Sequence, residues 1–181
     1  QKLTDVFEWC EEFSIKELTL YTFSVQNFDR PPKEFDYLMK IFFENFDNLK
    51  TDKRIYENQI RINVIGRTWM FPQKIQDKMN EIMNLTKNHD KYILNFAMAY
   101  GGREEVIDAT IKIAQLVKDG TLDIKDINEE SFKDYLYLKS EPDLIIRTGG
   151  ESRTSNFLAF QSAYSEYIFI DKMWPEFEKE D

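Results

Sequence analysis

The sequence is poor in the residues from which disulfide frameworks and histidine-based sites are built. Of its 181 residues, one is cysteine (Cys10), one is histidine (His89), six are glycine and five are proline. A single cysteine excludes an internal disulfide and indicates a reducing compartment, and the lone histidine excludes a zinc site built from several Cys and His ligands. A Ser-His-Asp triad would depend on His89, which lies in a polar run typical of a solvated loop.

Basic charge and long apolar runs are also missing. The chain has 24 Lys and Arg against 33 Asp and Glu, which gives a formal net charge of -9 and a pI near 4.8. This balance excludes a general nucleic-acid binder, because no basic surface is available to neutralise a phosphate backbone. No apolar run approaches the roughly 18 residues of a membrane span and no signal peptide is visible, so we expect a cytoplasmic protein. The length fits a single domain over residues 1–181.

Helical and strand-like patterns alternate along the chain. The spacing of apolar residues predicts helices over residues 3–13, 32–49, 72–83, 104–118, 126–138 and 156–164, and strands over residues 18–23, 61–65, 92–98, 144–146 and 167–170. Pro32 and Pro72 suit helix starts, and Asp126 with Glu129 resembles a capping box. The alternation predicts an α/β fold with a mostly parallel central sheet covered by helices on both faces.

A loop rich in phosphate-binding residue types follows the fourth strand. It contains Arg147, Gly149, Gly150, Arg153 and Ser155. Arginine offers a planar fork of donors, glycine lets backbone N–H groups approach an anion, and a serine before a helix supplies a further donor. The alternative is an ordinary turn whose arginines pair with nearby acids, since neither GxxxxGK[ST] nor GxGxxG occurs. The loop predicts a small-anion site, with a diphosphate as its ligand.

Polar or glycine-bearing segments also follow the first three strands. They are residues 24–30, residues 66–67 and residues 100–103. Parallel sheets bind ligands outside the carboxyl ends of their strands, so these segments predict one site at that edge. Each has a structural alternative: Asn27 stabilises a turn, and Gly101 with Gly102 forms the tight turn after strand three. Convergence of all the segments depends on the strand order, which the sequence does not give.

Two further features have open interpretations. The helix over residues 32–49 has an apolar stripe of four phenylalanines, a methionine and leucines, which either belongs to the core or walls an apolar tunnel beside the sheet. Glu166 is either a solvated charge or an oxygen ligand for Mg²⁺, a metal held by few carboxylates and by substrate phosphates. A diphosphate site beside an apolar tunnel suits an amphiphile with a charged head and a hydrocarbon tail.

Taken together, these motifs resemble those of the cis-prenyltransferases, the undecaprenyl diphosphate synthase-like enzymes, and parts of the sequence are similar to archaeal members. The resemblance rests on residues 18–24 with Asn27, Arg30, Pro31 and Glu34, on residues 94–103, and on residues 143–157 with Glu166, Trp174 and Pro175. It implies condensation of isopentenyl diphosphate with an allylic prenyl diphosphate to give a long polyprenyl diphosphate for a glycosyl-carrier lipid. It also implies a Mg²⁺ cofactor, a homodimer, and peripheral membrane contact for product release.

The resemblance assigns roles to individual residues. Arg147, Arg153 and Ser155 would bind the diphosphate of isopentenyl diphosphate, with Thr154 in the same loop. The allylic substrate and the reacting carbons would be flanked by Ser24, Val25, Gln26, Asn27, Phe28 and Arg30. Asn27 occupies the position sometimes assigned as proton acceptor, although an amide is a very poor base and an orienting role is chemically easier. Glu166 would be the magnesium-associated glutamate, acting across a dimer interface.

The chain departs from the family pattern at four points. Phe28 stands where tryptophan is common, and Thr22 where a small alanine often lines the tunnel. The Asp-Gly-Asn-Gly-Arg-like segment with the catalytic aspartate and the Arg-x-Gly ending do not occur in these 181 residues, so we expect an incomplete chain. Two alternatives to an enzyme therefore stay open: a non-catalytic partner subunit of a heteromeric cis-prenyltransferase, and a lipid-diphosphate carrier.

Overall fold

The structure, a computed structural model, describes residues 2–181 and contains two compact units. The amino-terminal unit comprises residues 4–100, and the carboxy-terminal unit comprises residues 101–181 together with Lys2 and Leu3. No helix among residues 2–181 is long and apolar enough to cross a membrane. The single domain that the sequence predicts stays a prediction.

The amino-terminal unit is built on three parallel strands. Its elements are α1 (Lys2–Glu12, which begins just before the unit), β1 (Glu17–Ser24), α2 (Pro32–Leu49), α3 (Lys53–Glu57), β2 (Ile60–Ile65), α4 (Gln73–Thr86) and β3 (Tyr92–Tyr100), with short 3-10 turns at Val25–Asp29 and Thr68–Met70. The strand order is β1-β3-β2, so β3 lies in the centre of the sheet. Every residue of β3 from Leu94 to Tyr100 is buried, which agrees with its almost continuous apolar sequence.

Asn95 interrupts that apolar run and fixes the register of the sheet. It is fully buried and aligns with Thr19 of β1 on one side and Asn63 of β2 on the other. Its amide nitrogen donates to the Thr19 hydroxyl at 3.0 Å and to a Glu17 carboxylate oxygen at 2.7 Å, while its amide oxygen accepts from Asn63 at 2.8 Å. A one-residue slip would leave these buried polar groups unpaired, at a cost of about 1–3 kcal/mol each.

The carboxy-terminal unit contains a second, smaller parallel sheet. Its elements are α5 (Gly102–Lys118), α6 (Glu129–Lys133), β4 (Leu144–Thr148) and β5 (Glu166–Ile170), with 3-10 turns at Ile124–Asp126 and Trp174–Glu176. β4 and β5 pair in parallel, with Leu144 opposite Glu166 and Arg147 opposite Phe169. The predicted α/β class, with parallel strands and helices between them, is therefore confirmed, and its five strands are distributed over two sheets, one in each unit.

Two local predictions are wrong. Residues 156–164 form turns instead of a helix, because Ser155, Asn156 and Leu158 have positive φ angles of 49°, 65° and 44° that a right-handed helix cannot accommodate. The cap of α6 is Asn128 instead of Asp126: its side chain accepts from the Ser131 N–H at 3.0 Å, and its N–H donates to the Ser131 hydroxyl at 2.9 Å. Serine here fills the place that the predicted capping box gives to glutamate.

Candidate active site

The loop after β4 brings two predicted anion-binding residues into contact. Arg147 lies near the carboxyl end of β4, and its guanidinium donates to the Ser155 hydroxyl oxygen at 2.6 Å. The same nitrogen also donates to the backbone carbonyl of Arg153. Arg147 therefore folds the loop back on the strand, and its remaining N–H groups and the Ser155 hydroxyl form one donor cluster.

The second predicted arginine, Arg153, is held in the loop only by an exposed ion pair. The Arg153 guanidinium pairs with the carboxylate of Glu151, and the two side chains are 63% and 49% exposed. An exposed ion pair contributes roughly 0–1 kcal/mol, whereas an arginine binds a phosphate through stronger, paired hydrogen bonds. A diphosphate at this loop can therefore displace Glu151 from Arg153. Thr154, between Arg153 and Ser155, is exposed, and its carbonyl accepts from the Phe157 N–H at 3.1 Å.

The two glycines of the loop shape the backbone and do not supply anion donors. The Gly149 N–H donates to the Lys172 carbonyl at 2.8 Å, and the Gly150 N–H donates to the Ile170 carbonyl at 3.0 Å. Their φ angles of 95° and 72° explain why glycine is needed. The expectation that these N–H groups approach the ligand is therefore wrong, as is the expectation of a helix N-terminus behind Ser155. The donors of this loop are side chains.

Glu166 lies at the other end of the two-stranded sheet. It is the first residue of β5 and pairs with Leu144, whereas Arg147 pairs with Phe169 three residues further along. At about 3.3 Å per residue, Glu166 and the loop are separated by on the order of 10 Å along the strands. Glu166 is exposed. Within one chain, the structure does not bring Glu166 together with Arg147 and Ser155.

The segment after β1 forms a tight 3-10 turn at the carboxyl edge of the larger sheet. The Ser24 N–H donates to the side-chain oxygen of Asn27 at 2.8 Å, so this amide caps the turn. Arg30 closes the segment and pairs with the Glu34 carboxylate in an exposed ion pair. Ser24 aligns with Tyr100 at the end of β3, which places the first and third predicted polar segments side by side.

The remaining predicted residues of this turn differ in exposure. Val25 is half-buried and Gln26 is exposed. The half-buried Phe28 ring packs against Phe23, Phe35 and Phe71, with centroid distances of 5.1, 5.6 and 5.2 Å. Phe28 therefore anchors the turn on α2 and on the core of the amino-terminal unit, while the polar residues around it remain at the surface.

The contacts of the α2 side chains do not test whether an apolar tunnel lies beside this helix. Met39, Phe42 and Phe46 of the α2 stripe are buried, and Phe42 contacts the rings of Phe23 and Phe71. An apolar cleft does lie in the amino-terminal unit, but it is lined from α1 and the amino ends of the strands, including Phe7, Leu18 and Ile60. The tunnel beside α2 stays a prediction.

The carboxylate that the sequence assigns to Mg²⁺ fits a metal only in part. The described residues contain no group of three or more His, Cys, Asp or Glu side chains that could hold a metal ion. Magnesium, however, commonly binds through one or two carboxylates while substrate phosphates and waters supply the other oxygens. An exposed glutamate such as Glu166 has the right donor chemistry for one such ligand.

Asn156 lies within residues 143–157, on which the resemblance rests, but no site role was predicted for it. It follows Ser155 directly and makes three hydrogen bonds to the start of α5, described below. Its signal in the sequence is weak: asparagine tolerates a positive φ better than most residues, but nothing in residues 153–157 marks the positive φ itself. The predicted helix over residues 156–164 concealed it.

Comparison with known proteins identifies the chain's relatives. It matches the family model Prenyltransf, described as "Putative undecaprenyl diphosphate synthase", over residues 1–181. It is 49% identical to the tritrans,polycis-undecaprenyl-diphosphate synthase (geranylgeranyl-diphosphate specific) of Pyrococcus horikoshii, covering 100% of this chain and 69% of the relative. The protein of the same name from Thermoplasma acidophilum is 44% identical, and the match covers 100% of this chain and 71% of that protein.

Two solved structures of prenyl diphosphate synthases are similar to this chain over nearly its whole length. Lavandulyl diphosphate synthase from Lavandula x intermedia, in complex with dimethylallyl diphosphate, superposes with a TM-score of 0.90 at 34% identity, over 99% of this chain and 78% of that one. A probable undecaprenyl diphosphate synthase from Campylobacter jejuni gives 0.85 at 29% identity, over 99% of this chain and 82% of that one. The predicted resemblance is confirmed, including its similarity to archaeal members: the chain belongs to the undecaprenyl diphosphate synthase family of prenyltransferases.

Proposed function

We propose that the full-length protein condenses isopentenyl diphosphate with geranylgeranyl diphosphate and repeats the step to build a long polycis-prenyl diphosphate. The observation that carries the proposal is the donor cluster of Arg147 and Ser155, which lie 2.6 Å apart at the end of β4. Geranylgeranyl diphosphate is the primer proposed because the archaeal relatives, up to 49% identical, carry that specificity in their names.

Isopentenyl diphosphate is the substrate proposed for the loop after β4. Arg147, Arg153 and Ser155 supply charged and neutral donors on a short, glycine-shaped loop, a combination that suits the diphosphate group. Thr154 contributes to the same loop surface. Holding the diphosphate fixes the position of the isopentenyl double bond, so that binding supplies much of the rate enhancement through orientation.

The turn after β1 is the proposed neighbour of the allylic substrate and of the reacting carbons. The isopentenyl double bond donates its electron pair to the allylic carbon, while the allylic C–O bond breaks and its electrons leave with the diphosphate. A proton then departs from the isopentenyl unit, and its C–H electrons form the new cis double bond. Asn27 orients the turn through its bond to the Ser24 N–H, and a diphosphate oxygen accepts the proton, because an amide is too weak a base.

Mg²⁺ is the proposed cofactor, and when bound it would neutralise charge on the departing diphosphate. Glu166 would hold it through a carboxylate oxygen. Because Glu166 lies at the opposite end of β5 from the Arg147 loop, it would serve the site of a second copy of this chain. The growing hydrocarbon tail is apolar, so product release involves peripheral contact with a bilayer.

The proposed homodimer uses one face of the smaller sheet. Leu144, Ile146 and Ile168 point to that face and are 45%, 45% and 40% exposed, whereas Ile145 on the opposite face is buried. Exposed aliphatic side chains clustered on a strand pair mark an interaction surface. Glu166 shares this face, since it pairs with Leu144. A second copy covering the three aliphatic residues would therefore also cover the surroundings of Glu166.

Replacing Ile146 by glutamate is expected to dissociate this dimer and to lower turnover. The two-fold symmetry would bury two unpaired carboxylates, and one uncompensated buried charge costs about 3–5 kcal/mol, or on the order of 100-fold or more in dimer affinity. Sedimentation velocity reports the assembly state. Ile124→Glu is the matched control, because Ile124 is 70% exposed in the same unit but lies outside the sheet face. A wild-type monomer, or an Ile146→Glu dimer as tight as wild type, would contradict this assignment.

Chain growth from labelled isopentenyl diphosphate tests the proposed function. The full-length protein is expected to extend geranylgeranyl diphosphate only when Mg²⁺ is present, and chelation with EDTA is expected to stop incorporation. Extraction and chromatography of the product report its length. Binding of isopentenyl diphosphate without chain growth would favour the lipid-diphosphate carrier, and growth that appears only after a homologous subunit is added would favour the partner subunit.

A further inference from the structure

Asn156, in the segment behind the diphosphate loop, makes three hydrogen bonds to the start of α5. Its side-chain oxygen accepts from the Arg103 N–H at 2.8 Å, and its amide nitrogen donates to the Glu104 carboxylate at 2.8 Å. Its backbone carbonyl accepts from the Gly102 N–H at 2.7 Å. The first N–H groups of a helix have no partner within the helix, so Asn156 caps α5 from a distant part of the chain.

The backbone at this cap and at the residue before it is held in an uncommon conformation. The φ angles of Ser155 and Asn156 are 49° and 65°. Left-handed residues other than glycine are unfavourable by roughly 1–2 kcal/mol, and asparagine is among those that adopt the conformation most readily. The hydrogen bonds to α5 stabilise this conformation. They therefore determine the direction in which the chain leaves Ser155.

Two glycines at the start of α5 make room for the segment. A methyl group at Gly102 would lie 2.7 Å from the backbone nitrogen of Ala159, whereas one at Gly101 would meet only the ends of flexible side chains, the Glu104 carboxylate at 2.2 Å and the Asn156 amide nitrogen at 2.8 Å. Cβ atoms essentially never approach other heavy atoms so closely. Gly101 and Gly102, which the sequence analysis interprets as a tight turn after β3, thus also form the surface of α5 on which residues 156–159 pack; this surface is called the seat.

We infer that Asn156 is a positioning residue for the isopentenyl diphosphate site. Asn156 directly follows Ser155 in the chain, and the Ser155 hydroxyl accepts from the Arg147 guanidinium at 2.6 Å. The hydrogen bonds of Asn156 to α5 therefore determine where this hydroxyl and guanidinium meet. The inference rests on the function proposed above, because it concerns the diphosphate that Arg147 and Ser155 are proposed to hold. Asn156 itself is assigned no contact with substrate.

A reversal of donor and acceptor tests this role. In Asn156→Asp, two carboxylates would face each other where Asn156 now donates to Glu104, so the seat is expected to open. Glu104→Gln keeps an acceptor oxygen for Asn156. In the double variant Asn156→Asp/Glu104→Gln, the glutamine amide can donate to the aspartate, and the other aspartate oxygen can still accept from the Arg103 N–H. The double variant therefore restores both side-chain bonds with their direction reversed at one of them.

The readout is equilibrium binding of labelled isopentenyl diphosphate to the full-length protein, together with KM for each substrate. Asn156→Asp is expected to raise Kd and KM for isopentenyl diphosphate by about tenfold or more, with KM for the allylic substrate within about twofold. Glu104→Gln and the double variant are expected to stay within about threefold of wild type. A general loss of folding would instead affect both substrates and the melting temperature.

Two results would overturn the inference while leaving the proposed function intact. One is wild-type affinity for isopentenyl diphosphate in Asn156→Asp, and the other is a double variant that binds as weakly as Asn156→Asp. If Asn156→Asp does not fold, an effect confined to isopentenyl diphosphate in Asn156→Ser decides instead, and equal losses for both substrates would overturn the inference. Failure of the wild-type protein to bind isopentenyl diphosphate would contradict the proposed function itself and, with it, this role.

Discussion

Arg147→Ala is expected to raise KM for isopentenyl diphosphate by about tenfold to 100-fold, because a hydrogen bond to a charged group contributes about 1.5–3 kcal/mol. Two effects act in the same direction. The substitution removes a guanidinium fork from the proposed diphosphate site, and it also removes the 2.6 Å bond that holds the Ser155 hydroxyl. Steady-state kinetics with isopentenyl diphosphate varied at saturating allylic substrate measure the change.

Three further variants test whether the rise in KM comes from losing a specific diphosphate contact or merely a positive charge. Arg147→Lys keeps the charge but not the planar fork, so it is expected to fall between wild type and Arg147→Ala. Arg153→Ala should also raise KM for isopentenyl diphosphate by more than about tenfold, since its pairing with Glu151 is exposed and weak. Lys125→Ala removes a 76% exposed cation of the same unit and should change nothing. Unchanged kinetics in both arginine-to-alanine variants would contradict the assignment of the loop.

Gly66→Ala is expected to destabilise the amino-terminal unit by about 3 kcal/mol or more, which lowers the melting temperature by roughly 6–12 °C. Gly66 follows β2, is buried and has a φ angle of 117°. An added methyl group would lie 2.2 Å from the Met98 carbonyl oxygen and 3.2 Å from the Ala99 carbonyl carbon. Both are backbone atoms of the central strand, so neither can move without disturbing the sheet. Thermal unfolding followed by circular dichroism measures the effect.

Gly120→Ala is the matched control for this substitution. Gly120 also has a positive φ, 70°, but an added methyl group would meet no atom within 4 Å. Its cost is therefore conformational alone, about 1 kcal/mol. The difference between the two variants reports the clash of the Gly66 methyl group with β3, together with the added strain of the larger φ angle at Gly66. Equal losses of stability in the two variants would show that this contact does not constrain Gly66.

The sequence predicted the regular elements well where their apolar pattern was strong. The helix over residues 32–49 agrees with α2 at both ends, and the strand over residues 92–98 agrees with β3 apart from its last two residues. Both have patterns whose period leaves little choice. Residues 156–164 are apolar enough for a helix, but hydrogen bonds to α5, more than 50 residues away along the chain, override that local preference.

The site residues were predicted by chemical type, and their geometry was not. Arginines and hydroxyls in the loop after β4 indicated an anion site, and the structure places Arg147 beside Ser155. The glycine N–H groups looked like anion donors, yet Gly150 donates to the carbonyl of the last residue of β5, Ile170, and Gly149 donates to the carbonyl of Lys172 just after it. Glu166 lies at the far end of β5 because parallel pairing sets its register, which cannot be read from the spacing of residues along the chain.

A crystal structure of the full-length protein with isopentenyl diphosphate and Mg²⁺ tests the central claim most directly. We expect diphosphate oxygens within about 3 Å of the Arg147 guanidinium and the Ser155 hydroxyl, with the Arg153 side chain turned from Glu151 to the ligand. A diphosphate bound elsewhere, with Arg147 still on Ser155 and Arg153 still paired with Glu151, would contradict it.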